Sequence, residues 1–358
     1  MDEKKKSIWV LAVSGVLAVA GVCCGVYKWI AGEQVTGLSS LIIWGLEAAG
    51  IYTAAACGTG LLALTGVKEL TGKITPLERG RLLIAATAAF IATGCLVMID
   101  LSNPVNIIGI VTAGAVSSFM TWDFYLLTTA TVVAVVYFAM TRSGRGNKVM
   151  AILSIVVAVA VLLVEAMMTT SVLGREVWAN GLTVIEFLVG ALVVGGVAVN
   201  AIAPSKQAAL TAAISAVVLA VCVLTELMAT TSLSLLVVSP FLWVGLAALV
   251  AVAVLGFMDK LPLTNFVVAS IGVLCEKVWV LAYGQATHLF AADTLYNSSL
   301  VEWAIVIGVA ALGVFLYEAC KGLAGKKDGA GAKGADADVT TSAKMAPKAA
   351  VSGTPATE

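Results

Sequence analysis

Charge is what this 358-residue sequence has least of: 12% of its residues are Asp, Glu, Lys or Arg, while 60% are apolar or aromatic. A water-soluble domain carries about 25% charged residues around its core. A mean hydropathy of +1.03 excludes such a domain and places the chain in a membrane. The 21 basic and 21 acidic residues balance. Without a basic excess to neutralise phosphates, nucleic-acid binding is excluded. Histidine occurs once, at His288, whereas a transmembrane b-type haem takes two axial imidazoles, so no haem is expected in this chain. The seven Cys (Cys23, Cys24, Cys57, Cys95, Cys222, Cys275 and Cys320) show no C-x-x-C spacing and mostly lie in apolar runs. They read as small core residues, and no iron-sulfur cluster, metal site or disulfide framework is expected. Any redox work must use a diffusible cofactor or one held by a partner.

Long apolar runs, by contrast, are plentiful. A helix needs about 20 apolar residues to cross the hydrocarbon core, and ten segments qualify: 8–30, 38–64, 81–101, 122–140, 149–171, 181–203, 207–228, 238–258, 263–284 and 300–320. The expected fold class is all-α, a polytopic membrane protein of about ten transmembrane helices. Ser102 to Thr121 is too apolar for a free loop yet is broken by Asn103 and Pro104; it reads as a re-entrant or surface-lying segment buried against protein. The first segment follows Lys4, Lys5 and Lys6 but lacks a small-x-small cleavage site, and is read as an uncleaved helix. Residues 325–358 turn to Gly, Ala, Lys, Asp, Thr and Pro, the composition of a disordered tail. Alternating spans put nearly all Lys and Arg on the side of the N terminus. The opposite loops hold only Lys28 and Arg175, and Lys277 is inside a helix. The positive-inside rule then puts both termini in the cytoplasm.

Ionisable groups within a bilayer cost about 2.5–3.5 kcal/mol each, so each is a candidate for function. Glu47, Glu165, Glu186, Glu226, Glu276 and Lys277 lie within helices, and Asp100, Asp123 and Glu302 at helix ends. All fall in the outer half or at its edge, and the expected spans have no carboxylate in the cytoplasmic half. A one-sided cluster suits a site that exchanges protons with the outside. Asp123 and Glu302, at helix N-termini, also fit as simple caps. Glu47 shares a face with Gly50, Ala54 and Gly58, and Glu186 has Gly190 one turn on. Small residues let helices approach closely, so both acids should point into protein, for chemistry or for an interhelical hydrogen bond. Glu276 and Lys277 are neighbours about 100° apart on a helix, so Lys277 is expected to pair across helices, with Glu226 or Glu165. His288, beside Phe290 and Asp293 in a loop, is either solvated or a proton relay.

Helices four apart carry matching acids: Glu47 and Glu186, Asp100-Leu101 and Glu226-Leu227, Glu165 and Glu276. Four spans per copy means that both copies enter from the same side, a parallel repeat of two four-helix bundles. The expected organisation is an N-terminal peripheral helix over 1–37, a first bundle over 38–172, a second over 173–285, a C-terminal helix over 286–324 and the tail.

The stretch MIDLSNPVNIIGIVTAGAVSSFMTWDFYLLT, residues 98–128, resembles the NrfD/polysulfide reductase membrane-subunit family through Asp100, Leu101, Pro104, Ser118, Met120 and Trp122. IYTAAACGTG at 51–60, KVWVLAYGQ at 277–285 and SSLVEWAIVIGVAALGVFLY at 298–317 add to it. The ten-helix count and Trp122-Asp123 look more like the long branch, with the membrane subunits of alternative complex III and of sulfate-reducer transmembrane complexes. The family's Gly-Arg is Ser102-Asn103 here, its ninth-helix Arg is Lys277, and its first-bundle histidine is absent.

The resemblance implies an exchangeable quinone, menaquinone or ubiquinone, bound near the outer face of a prokaryotic inner membrane. It further implies a periplasmic, ferredoxin-like iron-sulfur partner and a catalytic molybdopterin or multihaem subunit beyond it. Oxidising a quinol needs a base for each hydroxyl proton, and buried carboxylates can serve. Glu47, Asp100, Glu186 and Glu226 are the expected proton-transfer residues. Tyr52, Trp122, Asp123, Glu165, Glu276, Lys277 and His288 are the expected quinone-site residues. A secondary transporter and an anchor without a quinone site are the competing readings; transporters show inverted repeats and a midplane site, unlike this pattern.

Overall fold

The computed structural model describes residues 3–101, 103, 105–142, 144–230, 236–285 and 296–325. Its helices are α1 (Glu3–Ala31), α2 (Leu46–Leu70), α3 (Pro76–Asp100), α4 (Asn106–Ala113), α5 (Phe119–Thr141), α6 (Lys148–Thr170), α7 (Gly181–Ile202), α8 (Lys206–Ala229), α9 (Pro240–Phe257), α10 (Pro262–Val278) and α11 (Leu300–Cys320). All but α4 give helical segments long and apolar enough to cross a membrane, ten in number among the described residues. Two short 3₁₀ turns and one π-turn make up the remaining helical structure, and no strand is present among those residues.

Local chemistry sets the helix ends. Thr75 and Glu78 close a capping box at the start of α3, with Pro76 in the first turn, and Ser299 and Glu302 close another at α11. Asn147 and Asn180 cap α6 and α7 with their side-chain oxygens. Gly32 and Gly72, at φ 79° and 67°, supply the left-handed residues that follow α1 and α2.

The helices pack as two rings. In the first, α2 contacts α3, α3 contacts α5, α5 contacts α6, and α6 returns to α2; in the second, α7, α8, α9 and α10 close in the same cyclic order. This is the parallel arrangement expected of the repeat, with α1 and α11 paired outside the rings and α11 resting on α3. The rings meet mainly through α2 and α7, where Gly60 and Gly195 bring the backbones together. A Cβ added to Gly60 would strike the Ala191 carbonyl and lie 2.9 Å from the Gly195 Cα. The outward faces carry exposed apolar side chains such as Val16, Val19, Val149, Val156 and Val250, as contact with lipid requires.

The repeat extends to local detail that alternating acids do not reveal. Trp122 Nε1 donates to the Val116 carbonyl at 2.8 Å, and Trp243 Nε1 donates to the Val237 carbonyl at 3.0 Å, six residues back in both cases. Each Trp follows an N-terminal Ser by four residues, Ser118 for α5 and Ser239 for α9. These hydrogen bonds fix the register between α5 and α9.

Several sequence expectations are corrected. The second span begins at Leu46 rather than residue 38, because residues 36–45 are tied into a non-helical segment by Gln285 and Glu302. Since α2 then runs on to Leu70, Glu69 lies in its last turn, paired with Arg79 at 2.7 Å. Glu318, near the end of α11, pairs with Lys321. The lysine-rich half therefore does hold helical carboxylates, and these two are each paired with a cation. Residues 102–121 include α4, whose Ile108 and Val111 are exposed, as is Val105 just before it, rather than buried against protein. Lys28 is in helix α1 and buried, not in a loop.

Candidate functional site

Every acid singled out within the spans lies toward one end of its helix, and the alternating helix directions bring those ends together. Glu47 is in the first turn of α2, Asp100 is the last residue of α3, Asp123 is near the start of α5, Glu165 is near the end of α6, and Glu186 is near the start of α7. Glu226, Glu276 and Lys277 follow the same rule in α8 and α10.

At this end the first ring opens into a cleft of about 940 Å³, open solvent at its mouth included. Apolar groups from α2 to α6 and from the segment before α2 make most of its wall, among them Trp44, Ile51, Phe90, Ile110, Phe124 and Met168. Its ionisable side chains are Tyr52, Asp100 and Asp123. Tyr52 and Asp123 are buried within the protein, and Asp100 is half-buried. Asp123 Oδ1 has no hydrogen-bond partner, an arrangement that is costly unless a ligand or a proton answers it. Trp44 is held by stacking on Trp178, with ring centroids 5.0 Å apart, and Trp178 in turn donates to the Val280 carbonyl at 2.7 Å. That carbonyl belongs to the π-turn Trp279–Tyr283 that follows α10, so the indole answers a backbone group in an irregular helical segment.

Beyond the cleft lies a second polar group. Glu165, fully buried with neither oxygen hydrogen-bonded, interacts electrostatically with Asp123 on one side and Lys277 on the other. Lys277 Nζ sits 3.1 Å from Glu276 Oε1 and 3.8 Å from the centroid of the Phe187 ring. The sequence-neighbour pair does therefore form, contrary to the helical-wheel expectation: the long lysine stem folds back to its neighbour. Glu226 and Glu165 remain within electrostatic reach of it. Glu226 accepts a hydrogen bond from Asn180 Nδ2, the residue that also caps α7. Glu186 lies within electrostatic reach of Glu226, Glu276 and Lys277, and neither of its buried oxygens is hydrogen-bonded. Phe187 joins the two groups, since its ring also meets Tyr52 edge-on at 5.1 Å.

A third group lies against α1. Lys28 Nζ pairs with Glu47 Oε2, both side chains buried, and Asp100 is a further nearby charge. Glu302 is more than a cap. It accepts from the backbone N–H groups of Ser299 at 2.7 Å and Gly37 at 2.8 Å, and from the Tyr296 hydroxyl at 2.6 Å. Tyr296 then accepts from the Leu46 N–H at 2.8 Å. Burial first, and the Glu302 carboxylate next, push this loop phenol above its ordinary range.

Of the expected site residues, then, Tyr52, Asp100 and Asp123 share the cleft, with Glu165 behind them. Glu186, Glu226, Glu276 and Lys277 form the second group, and Glu47 joins Lys28. Trp122 does not line the cleft: its ring is exposed and its N–H is committed to Val116. His288 lies outside the described residues. Lys28, Phe187 and Asn180 were not expected. A lysine so near a span end counts as a loop charge, and nothing in the sequence marks Phe187 or Asn180 among many similar residues.

The repeat explains why one ring is open and the other shut. Register places Val97 and Asp100 opposite Val223 and Glu226, Asp123 and Phe124 opposite Val244 and Gly245, and Met168 opposite Trp279. Trp279 is fully buried, and the corresponding void between α8, α9 and α10 is only about 170 Å³ by the same measure. Comparison with known proteins finds no family model that matches this chain and no curated relative.

Proposed function

We propose that the chain is the quinone-binding membrane subunit of a multisubunit oxidoreductase, exchanging electrons with an iron-sulfur partner on the outer face of a prokaryotic inner membrane. The single observation that carries the reading is the cleft: apolar walls suited to a lipophilic molecule, headed by Tyr52, Asp100 and Asp123. The resemblance of residues 98–128 to NrfD-type subunits points the same way, and Asp100 and Asp123 both fall in that stretch. The lysine-rich loops favour cytoplasmic termini, which turns the cleft outward.

A bound quinol supplies two protons and two electrons as it is oxidised. The electrons go to the iron-sulfur partner, and this chain handles the protons. Asp100 and Asp123 are each placed to accept one, Tyr52 to orient an oxygen of the ring, and Glu165 to take up charge behind Asp123. Val105, Ile108, Val116 and Leu173 are exposed on the connections at this end, an apolar surface that favours a docked subunit over water.

Gly94 allows a direct test. It lines the cleft, and a Cβ there meets nothing within 4 Å, so a larger side chain enters the cavity without striking the backbone. In membranes treated with a photoreactive azido-quinone, label is expected in 44–52 and 120–131 of the wild-type chain, and Gly94→Leu should abolish it. Label that is absent from these segments, or unchanged by Gly94→Leu at equal protein abundance, rules out the cleft as the quinone site.

A further inference from the structure

We propose that Lys28 is a positioning residue of the cleft: from outside both rings it holds Glu47 and sets a fixed positive charge beside Asp100, keeping that carboxylate ready to accept a proton. The inference rests on the quinone reading above.

The placement of Lys28 is built into α1. Gly21, Gly25 and Lys28 fall on one helix face by their spacing of four and three. A Cβ on Gly21 would lie 2.5 Å from the Gly308 Cα of α11, and one on Gly25 would lie 2.7 Å from Ile99 Cδ1 of α3. Only glycine at these positions lets α1 sink between α11 and the end of α3, one residue from Asp100. The lysine that follows is 1% exposed. A helix that merely met lipid would gain nothing from burying an ammonium group, which costs several kcal/mol unless paired.

The charges facing this ammonium come from every element around it: Glu33 after α1, Glu47 on α2 and Asp100 on α3, with Glu302 of α11 acting on the two acids. Glu47 answers it directly but leaves its own Oε1 without a partner, so the pair is not a closed structural unit. Asp100 alone of these groups lines the cleft. Removing the positive charge while keeping the acids disfavours ionised Asp100, so proton acceptance should require a higher pH.

The test uses membranes containing the complete complex, with quinol oxidation followed against pH in Lys28→Gln, Lys28→Arg and the double variant Lys28→Gln/Glu47→Gln. The double variant removes the stranded buried acid and guards against simple misfolding. On the acid limb Lys28→Gln should lose up to about tenfold, its rising limb moved up by about one pH unit, and the double variant should move the same way by less, since it also removes the repulsion between Glu47 and Asp100. Lys28→Arg should keep the wild-type profile. Gly25→Leu, which displaces α1 and changes no charge, should behave as Lys28→Gln does. An unmoved profile in Lys28→Gln, or a wild-type profile in the double variant, overturns the proposal, the latter by showing that Lys28 only balances Glu47. Azido-quinone labelling of the same membranes separates the two failures: label retained with an unmoved profile rejects Lys28 alone, whereas loss of label in the wild type rejects the quinone reading itself.

Discussion

Single residues carry unequal amounts of information in this chain, and scarcity explains which of them can be read. Against an apolar background an acid stands out, so every buried carboxylate of the acid end could be picked from the sequence. What the sequence does not state is the partner. Glu47 meets Lys28 from a helix outside its own ring, and Lys277 folds back onto Glu276 over Phe187. Bonding separates Glu302 from the others chemically: it already accepts from three donors, two of them backbone N–H groups. Glu302→Gln turns an amide N–H₂ toward one of those donors and should cost about 1–3 kcal/mol of stability. Asp100→Asn and Asp123→Asn, whose carboxylates face the cleft, should instead leave stability nearly unchanged and slow quinol oxidation by at least about tenfold, a cautious fraction of what positioned acid-base groups contribute. Thermal aggregation and turnover measured on the same membranes check both halves. A Glu302→Gln protein of wild-type stability with lost turnover would reverse these assignments.

At the level of elements, apolar run length located all ten spans, mostly to within a few residues, because a bilayer sets helix length more strictly than a soluble core does. The clear miss at α2 has a local cause: residues 38–43 are apolar enough to pass as helix, but their backbone is held by Gln285, which accepts from the Ile43 N–H at 2.9 Å and donates to the Trp44 carbonyl at 2.8 Å. A side chain so distant in sequence cannot be read from a hydropathy pattern. The cleft was illegible for a similar reason. It lies where Met168 stands in place of the second ring's buried Trp279, one of several side-chain differences between two rings of the same helix order. The contact between rings is equally local. Gly60→Val would drive a side chain into the Ala191 carbonyl, an overpacking worth about 1–3 kcal/mol. Gly94→Val, also within a helix but facing open space, serves as the control of equal size and propensity. Limited proteolysis or detergent-induced unfolding should show Gly60→Val loosened and Gly94→Val near wild type. Equal behaviour would mean that the rings do not depend on this contact.

For the whole molecule the governing fact is polarity of arrangement. The buried acids of the cleft, of the Lys277 group and of the Lys28 pair lie at one end, while the other has the Arg79–Glu69 pair, in which Arg79 also donates to the Arg145 carbonyl at 3.0 Å. Between them lie hydroxyls whose protons are already used within their own helices: Thr59 donates to Ala55, Thr65 to Leu61, Thr87 to Leu83 and Ser154 to Ala151, at 2.7–2.9 Å. A proton wire needs donors free to reorient, and these are spent on backbone carbonyls. In the proposed orientation, protons taken from a quinol by Asp100 and Asp123 leave on the same side as the electrons, so turnover moves no net charge across the bilayer. A secondary transporter built on the same acids would have to carry charge or solute past this apolar middle. Vesicles containing the complete complex, driven by a soluble quinol analogue and read with a potential-sensitive dye, distinguish the cases. Turnover should proceed with no sustained potential, and the external pH alone should fall. A potential that an uncoupler collapses and that Glu165→Gln abolishes would show that protons do cross, through the Lys277 group, and would set aside the electroneutral scheme.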